Sequence, residues 1–212
     1  MADSANRLGM WSACCLGALG VVYALIVATV MSHGLERLVT DPLLAVMEAI
    51  TLASAPLLVL LMAAVHATAP PPAKAFSAAA LAFSAIMAGL SCAVHFVALS
   101  AGRQLGRAAL VWPSVPYALE LLAWDFFLGL SLLCAAVVFQ GGRPERVIRL
   151  CLRITAILCL AATLGPLSGH MRLQLPGVLA YSLLLPLTMF YLGATFRDRY
   201  RARQGGIDSQ PA

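Results

Sequence analysis

The chain alternates between long apolar stretches and short segments rich in proline, glycine and charge. Six stretches are about 20 residues long or longer, which is the length of an α-helix that crosses the hydrocarbon core of a bilayer. These stretches cover residues 11–31, 43–67, 76–101, 114–139, 147–167 and 176–196. Turn-forming residues separate them, as in the run of three prolines at positions 70–72. The pattern therefore predicts an all-α integral membrane protein built as a bundle of six transmembrane helices.

The composition agrees with this fold class. Hydrophobic residues make up 61% of the chain and charged residues 11%, whereas a soluble domain is about 45–50% apolar and about 25% charged. A bilayer accepts apolar side chains on the outer surface of every helix, which water does not. We therefore expect the lipid bilayer as a partner, a single domain over residues 1–203, and a flexible C-terminal tail over residues 204–212.

Lysine and arginine are distributed unequally over the two ends of the predicted bundle. The larger group lies on the side of the N-terminus and comprises Arg7, Lys74, Arg143, Arg146, Arg149, Arg153, Arg197, Arg199, Arg201 and Arg203. The smaller group comprises Arg37, Arg103, Arg107 and Arg172. Because cytoplasmic loops carry the excess of positive charge, both termini are predicted to be cytoplasmic.

This charge distribution also bears on partners and location. The net charge of +5 is explained by topology. Basic and aromatic residues are not interleaved on one surface, so nucleic-acid binding is not predicted. The bias toward alanine, leucine and arginine, with a single lysine, is typical of a GC-rich bacterial gene. We therefore expect a multi-pass protein of the cytoplasmic membrane, the inner membrane of a bacterium, and leave open whether it forms a homo-oligomer.

Few ionisable residues fall well inside the predicted spans, where each costs free energy and needs a reason. Glu48, His95 and Glu120 are predicted to lie at a similar depth in the outer half of the bundle. Asp125 follows about 7.5 Å deeper, at a rise of about 1.5 Å per residue. This layer indicates either a pathway for a solute, ion or proton, or a set of interhelical hydrogen bonds.

The helical repeat divides the polar residues of the fourth span between two faces. Glu120, Trp124, Phe127 and Ser131 share one face, whereas Asp125 is rotated about 140° from Glu120 and points to another neighbour. The two carboxyl groups are therefore not expected to form one catalytic site. Trp124 is expected to serve as a packing residue or a hydrogen-bond donor.

Three histidines are predicted on the outer side of the bundle: His33, His95 and His170. Imidazole and carboxylate groups in one layer are the donors of a transition-metal site, so a bound divalent metal is one alternative. No other cofactor is predicted. The chain has no Gly-rich nucleotide loop, no His-Glu-x-x-His and no Gly-x-Ser-x-Gly motif, which disfavours the familiar membrane enzymes.

Three hypotheses about function follow. The first is a transporter-like protein that handles a small solute, an ion or protons, with Glu48, His95, Glu120 and Asp125 as its polar residues. The second is an intramembrane, metal-assisted hydrolase acting on a lipid, in which the three histidines hold the cation. The third is a non-catalytic scaffold or sensor subunit whose polar groups only fix helix pairing.

Overall fold

A computed structural model describes residues 2–32, 41–105 and 112–207. In these ranges the regular structure is entirely helical, with no strand. Six helices are long and apolar enough to cross a membrane, which confirms the number predicted from the apolar stretches. We number the helices by their candidate membrane spans, beyond which some of them continue: α1 (Asp3–Val30), α2 (Leu43–Thr68), α3 (Pro71–Gly102), α4 (Val115–Ala136), α5 (Arg143–Ser168) and α6 (Met171–Gln204).

The six helices form a closed ring. Each helix packs against the next one along the chain, and α6 returns to pack along α1. The α1–α6 contact is close because small residues face bulky ones: a Cβ on Gly9 would lie 2.8 Å from the Phe196 ring, and one on Gly20 2.5 Å from Cγ of Pro186. Residue numbers rise on one helix as they fall on the other, so α1 and α6 are antiparallel.

The alternation of direction gives the bundle two distinct ends. We call the end at which α1, α3 and α5 finish the cavity end, and the opposite end the arginine end. At the cavity end Arg103 of α3 donates to Asp41, just before α2, at 2.5 Å. At the arginine end Arg199 of α6 donates to Glu145 of α5, also at 2.5 Å. His33, Arg37 and Arg107 were assigned to the cavity end from the sequence and lie outside the described residues.

Three of the helices depart from regular α-geometry in the half of the bundle near the cavity end. Wide π-helical turns occupy Ala98–Gly102 of α3, Leu122–Phe127 of α4 and Ala180–Leu184 of α6. The turn in α6 has a local cause, because Pro186 lies two residues after its last residue, Leu184. Proline has no amide hydrogen and its ring crowds the carbonyl one turn earlier, so the carbonyl of Ser182 cannot receive the usual bond. Such turns are rare and are often found at functional sites.

The interior and the outer surface of the ring are both apolar. Leu58, Leu132 and Met189 are among the side chains that are almost fully buried between helices. On the outside Phe96 is 64% exposed and Leu187 61% exposed, and many other large apolar residues share this outward orientation. An apolar surface of this extent on a folded chain needs a covering environment.

The helices extend beyond several of the predicted apolar stretches. The first helix begins at Ala2, and the last continues through the arginine-rich segment to Ile207. The apolar pattern predicts which residues can lie in the hydrocarbon core of a bilayer. The backbone hydrogen bonds of a helix can continue beyond them into the polar flanking residues. Residues 208–212 of the predicted C-terminal tail lie outside the described residues, and the tail stays a prediction.

Candidate functional site

An imidazole–carboxylate pair joins α3 to α4 near the cavity end. His95 lies near the end of α3 and Glu120 near the start of α4, and the sequence placed both in one layer. Nε2 of His95 lies 2.8 Å from Oε1 of Glu120. The side chains are 5% and 12% exposed, respectively. At this separation a single proton lies between the two atoms.

A serine and a tryptophan extend this pair into a hydrogen-bonded chain. Ser91, one turn before His95 on α3, donates its hydroxyl to Oε1 of Glu120 at 3.2 Å. Trp124, one turn after Glu120 on α4, donates its indole N–H to the Ser91 oxygen at 3.0 Å. A hydroxyl can donate one hydrogen bond while accepting another, so the directions are consistent. The sequence-based expectation that Trp124 is a hydrogen-bond donor is confirmed.

The predicted polar face of α4 is directed at α3 along its whole length. Farther toward the arginine end, Phe127 lies with its ring centroid 6.4 Å from that of Phe83 on α3. One turn later Ser131 donates to the carbonyl oxygen of Ala80 at 2.8 Å. Together with Glu120, these contacts confirm that the face read from the helical repeat is the one that meets α3.

Two polar atoms of the pair lack a hydrogen-bond partner among the described residues: Nδ1 of His95 and Oε2 of Glu120. Each is shielded from solvent. Leaving a buried polar atom unpaired costs about 1–3 kcal/mol, and more when the group is charged. The pair therefore carries unused capacity for one further hydrogen bond on each of its members.

A cavity of about 160 Å³ lies beside this pair, and His95 and Glu120 both line it. Five of the six helices contribute to its wall. Among the described residues, none from α5 lines the cavity. The polar and aromatic lining comprises Tyr23, Thr51, Ser54, His95, Tyr117, Glu120, Trp124 and Tyr181. The rest of the wall is Leu16, Gly20, Ile50, Leu58, Leu121, Leu185, Pro186 and Met189. A mainly apolar cavity with a few convergent polar groups is the usual form of a small-molecule site.

The irregular turns of α4 and α6 place aromatic side chains in this wall. Trp124 belongs to the wide turn of α4 and Tyr181 to that of α6, and their ring centroids are 5.9 Å apart at a tilt of 59°. The Tyr181 hydroxyl in turn accepts from Nε2 of Gln174 at 3.0 Å. Trp124 and Tyr181 are thus held in place by hydrogen bonds and ring packing.

Asp125 lies in a different environment from Glu120. Its side chain has no solvent exposure, and it does not line the cavity. A Cβ on Gly177 of α6 would lie 2.8 Å from Oδ1 of Asp125 and 2.6 Å from Cβ of Ala162. Neither carboxyl oxygen forms a regular hydrogen bond within the described ranges, although the side chain of Gln174 on α6 lies close enough to interact with the carboxyl group. The predicted separation of the two carboxyl groups onto different helix neighbours is confirmed.

Glu48 and His170 are also separate from the cavity. Glu48 is only 4% exposed on α2 and is not among the residues of the cavity wall. His170 is exposed in the connection before α6, with Nδ1 3.0 Å from the carbonyl oxygen of Ser168. Within the described residues, no three His, Cys, Asp or Glu side chains form a group that could hold a metal ion. His33, the third candidate ligand, lies outside these residues, so the metal site stays a prediction.

Sequence reasoning missed the three tyrosines of the wall. Tyrosine near the end of a span ordinarily indicates an aromatic belt at the membrane interface, so its position does not by itself indicate a site inside the bundle. A depth comparison would have found Tyr23 and Tyr117, which lie near the cavity ends of α1 and α4. Tyr181 lies deeper, and its direction depends on the wide turn that contains it.

Comparisons with protein-family models, with curated proteins and with solved structures found no match to this chain.

Proposed function

We propose that this protein is a multi-pass membrane protein that binds a small solute in the cavity beside the His95–Glu120 pair, as a transporter-like protein does. Membrane insertion is supported by six apolar helices and by the apolar outer surface of the ring. The asymmetry of lysine and arginine supports cytoplasmic termini. The alanine, leucine and arginine bias supports the cytoplasmic membrane of a bacterium as the location.

The observation that carries the solute-binding proposal is the cavity itself. Its volume of about 160 Å³ is close to that of an engineered apolar cavity of about 150 Å³ that binds benzene. Unlike that cavity, this one is lined by a buried acid–imidazole pair. Among the described residues, one polar atom of each member of the pair has no hydrogen-bond partner. A site that combines apolar volume with a few oriented polar groups favours a small organic molecule over a bare ion.

The irregular helices support a transporter-like role for the cavity. In membrane proteins, non-helical or widened backbone is tolerated where it is buried in protein or lines a cavity. Transporters commonly bind their solutes near such interrupted helices. Here α4 and α6 both carry wide turns next to the cavity, and Pro186 lines it directly.

A pair of adjacent substitutions on α2 tests the proposal. Ser54 lines the cavity, whereas its neighbour Ala53 is exposed on the outside of the ring. Ser54→Leu should fill the cavity and abolish solute binding, and Ala53→Leu adds a side chain of the same size without reaching it. Binding is measured as ligand-induced thermal stabilisation of the detergent-purified protein across a library of small amines, alcohols and acids. Ligands that stabilise the wild type are then tested for uptake into proteoliposomes.

Each outcome has a distinct meaning. Stabilisation seen with the wild type and Ala53→Leu but lost with Ser54→Leu supports a solute site in the cavity. Equal stabilisation of all three proteins, or of none, contradicts it. The latter result, together with full tolerance of Glu120→Gln, favours the scaffold hypothesis, in which the polar groups serve only to pair α3 with α4.

A further inference from the structure

The charge of the cavity wall narrows the class of solute. Glu120 is the acidic residue of the wall, and no lysine or arginine from the described ranges lines it. The other titratable groups facing it are His95 and the three tyrosines. An anionic ligand would therefore meet a carboxyl group at low dielectric without a fixed positive partner, which is strongly unfavourable.

The acid has an unused oxygen. Oε1 of Glu120 already accepts from Ser91 and interacts with His95, whereas Oε2 has no partner among the described residues and is covered by neighbouring atoms, so a ligand in the cavity must turn the carboxyl group to reach it. A carboxylate accepts several hydrogen bonds, and those from an ionised donor are about twice as strong as neutral ones. An ammonium group is the simplest ligand group that supplies both the charge and the donors.

The remainder of the wall suits the body of an organic cation. Aromatic rings attract a cation placed over their faces, and more strongly when the cation is desolvated. Tyr23, Tyr117, Trp124 and Tyr181 supply four such rings around the cavity. The apolar side chains between them do not offer the oxygen ligands that a bare metal cation needs.

We propose that the cavity binds a small primary amine in its protonated form, with the ammonium group on Glu120 and an apolar body of about the size of a benzene ring against the aromatic wall. This inference rests on the proposed solute-binding function and specifies its ligand. The lining residues of the cavity account for a preference for a protonated amine without a metal and without any residue of α5.

Three probes of equal body and different charge test the proposal: benzylammonium, benzyl alcohol and benzoate. Binding of each to the detergent-purified full chain is titrated by the change in tryptophan fluorescence and repeated with Ser54→Leu to subtract partitioning into the micelle. We expect benzylammonium to bind about tenfold more tightly than benzyl alcohol, because a hydrogen bond from a charged donor is about twice as strong as one from a neutral donor. Benzoate should bind more weakly than either.

A carboxamide variant locates the charge effect. Glu120→Gln should lower the affinity for benzylammonium about tenfold, to that of benzyl alcohol, and change the affinity for the alcohol little. Asp198→Asn is the matched control, because Asp198 is exposed at the arginine end, and it should leave the preference intact. The comparison of the three probes on the wild type decides the question even where Glu120→Gln does not fold.

The failures of the two proposals are distinguishable. If benzyl alcohol or benzoate binds as tightly as benzylammonium, and Ser54→Leu abolishes that binding, the cavity is a solute site but the amine inference is wrong. If none of the three probes shows binding that Ser54→Leu removes, both proposals are contradicted. A cation preference that persists in Glu120→Gln also overturns the inference, because a group other than Glu120 would then recognise the charge of the ligand.

Discussion

Replacing Gly177 by alanine tests the closest approach between three helices. Gly177 lies near the start of α6, and an added Cβ would lie 2.6 Å from Cβ of Ala162 and 2.8 Å from Oδ1 of Asp125. Both distances are below van der Waals contact, and both neighbours are short side chains on rigid helices. The helices must therefore separate, or the Asp125 carboxyl group must rotate into other packed atoms.

The magnitude follows from a comparison with a second glycine. Overpacking of a close-packed interior costs about 1–3 kcal/mol, and exchange of glycine for alanine in a helix returns up to about 1 kcal/mol. At Gly89 of α3 an added Cβ would have no neighbouring atom within 4 Å. Gly89→Ala should therefore gain the free energy of helix propensity without the cost of overpacking. We expect Gly177→Ala to be about 1–3 kcal/mol less stable than Gly89→Ala.

The measurement is the free energy of unfolding in mixed detergent micelles for the wild type and both variants. A third protein combines Gly177→Ala with Ala162→Gly, which removes the nearest overlapping atom and should recover part of the loss. If Gly177→Ala and Gly89→Ala are equally stable, then α4, α5 and α6 do not approach as closely as the Gly177 distances indicate. The reasoning about Asp125 would fail with that result.

Three further predictions concern a hydrogen bond, the topology and metal content. Ser131→Ala removes the donor to the Ala80 carbonyl and should lower the free energy of unfolding by about 0.5–1.5 kcal/mol; a neutral result would mean that this hydrogen bond makes no net contribution to stability. Ser168→Cys should react with a membrane-impermeant thiol reagent in intact cells and Gln140→Cys only after permeabilisation, judged against the labelling of the wild type, and the reverse pattern would invert the topology. Elemental analysis of purified wild type and His95→Ala should show no near-stoichiometric transition metal, and a metal lost in the variant would restore the hydrolase hypothesis.

The number of helices and the polar face of α4 could be read from the sequence because both depend on local periodicity. An apolar run of sufficient length predicts a helix wherever it occurs, and the spacing of Glu120, Trp124 and Ser131 fixes their common direction whatever the partner. The similar depth of Glu120 and His95 needed one additional step, the estimate of depth from the direction of each span, whereas their direct hydrogen bond was seen only in the structure. That estimate is reliable when helices are antiparallel and joined by short connections.

The cavity wall could not be read in the same way, because it depends on contacts between distant parts of the chain. The wall includes Gly20, whose contact with Pro186 exists only because α6 closes the ring against α1. Wide turns move side chains off the regular helical repeat, so the direction of Tyr181 does not follow from its position in the sequence. The turn in α6 has a signal in Pro186, whereas the one in α4 is not followed by a proline.

The two carboxyl groups of α4 give a final test of how the bundle divides its polar groups. Glu120 lines the cavity and is already hydrogen-bonded to His95 of α3, whereas Asp125 is buried and packs closely against Gly177 of α6. Asp125→Asn keeps the shape of the side chain and removes an ionisable group whose oxygens form no regular hydrogen bond among the described residues. We therefore expect it to leave the preference for benzylammonium unchanged and the stability unchanged or raised.

The same measurements on Glu120→Gln should give the opposite result, with the preference lost and the His95 pair weakened. The comparison is informative because both substitutions remove one carboxyl group from the same helix at neighbouring levels. If Asp125→Asn abolished the cation preference as fully as Glu120→Gln, the charge that selects the ligand could not be assigned to the cavity wall. The two carboxyl groups would then have to act as one site, despite the different helices that they face.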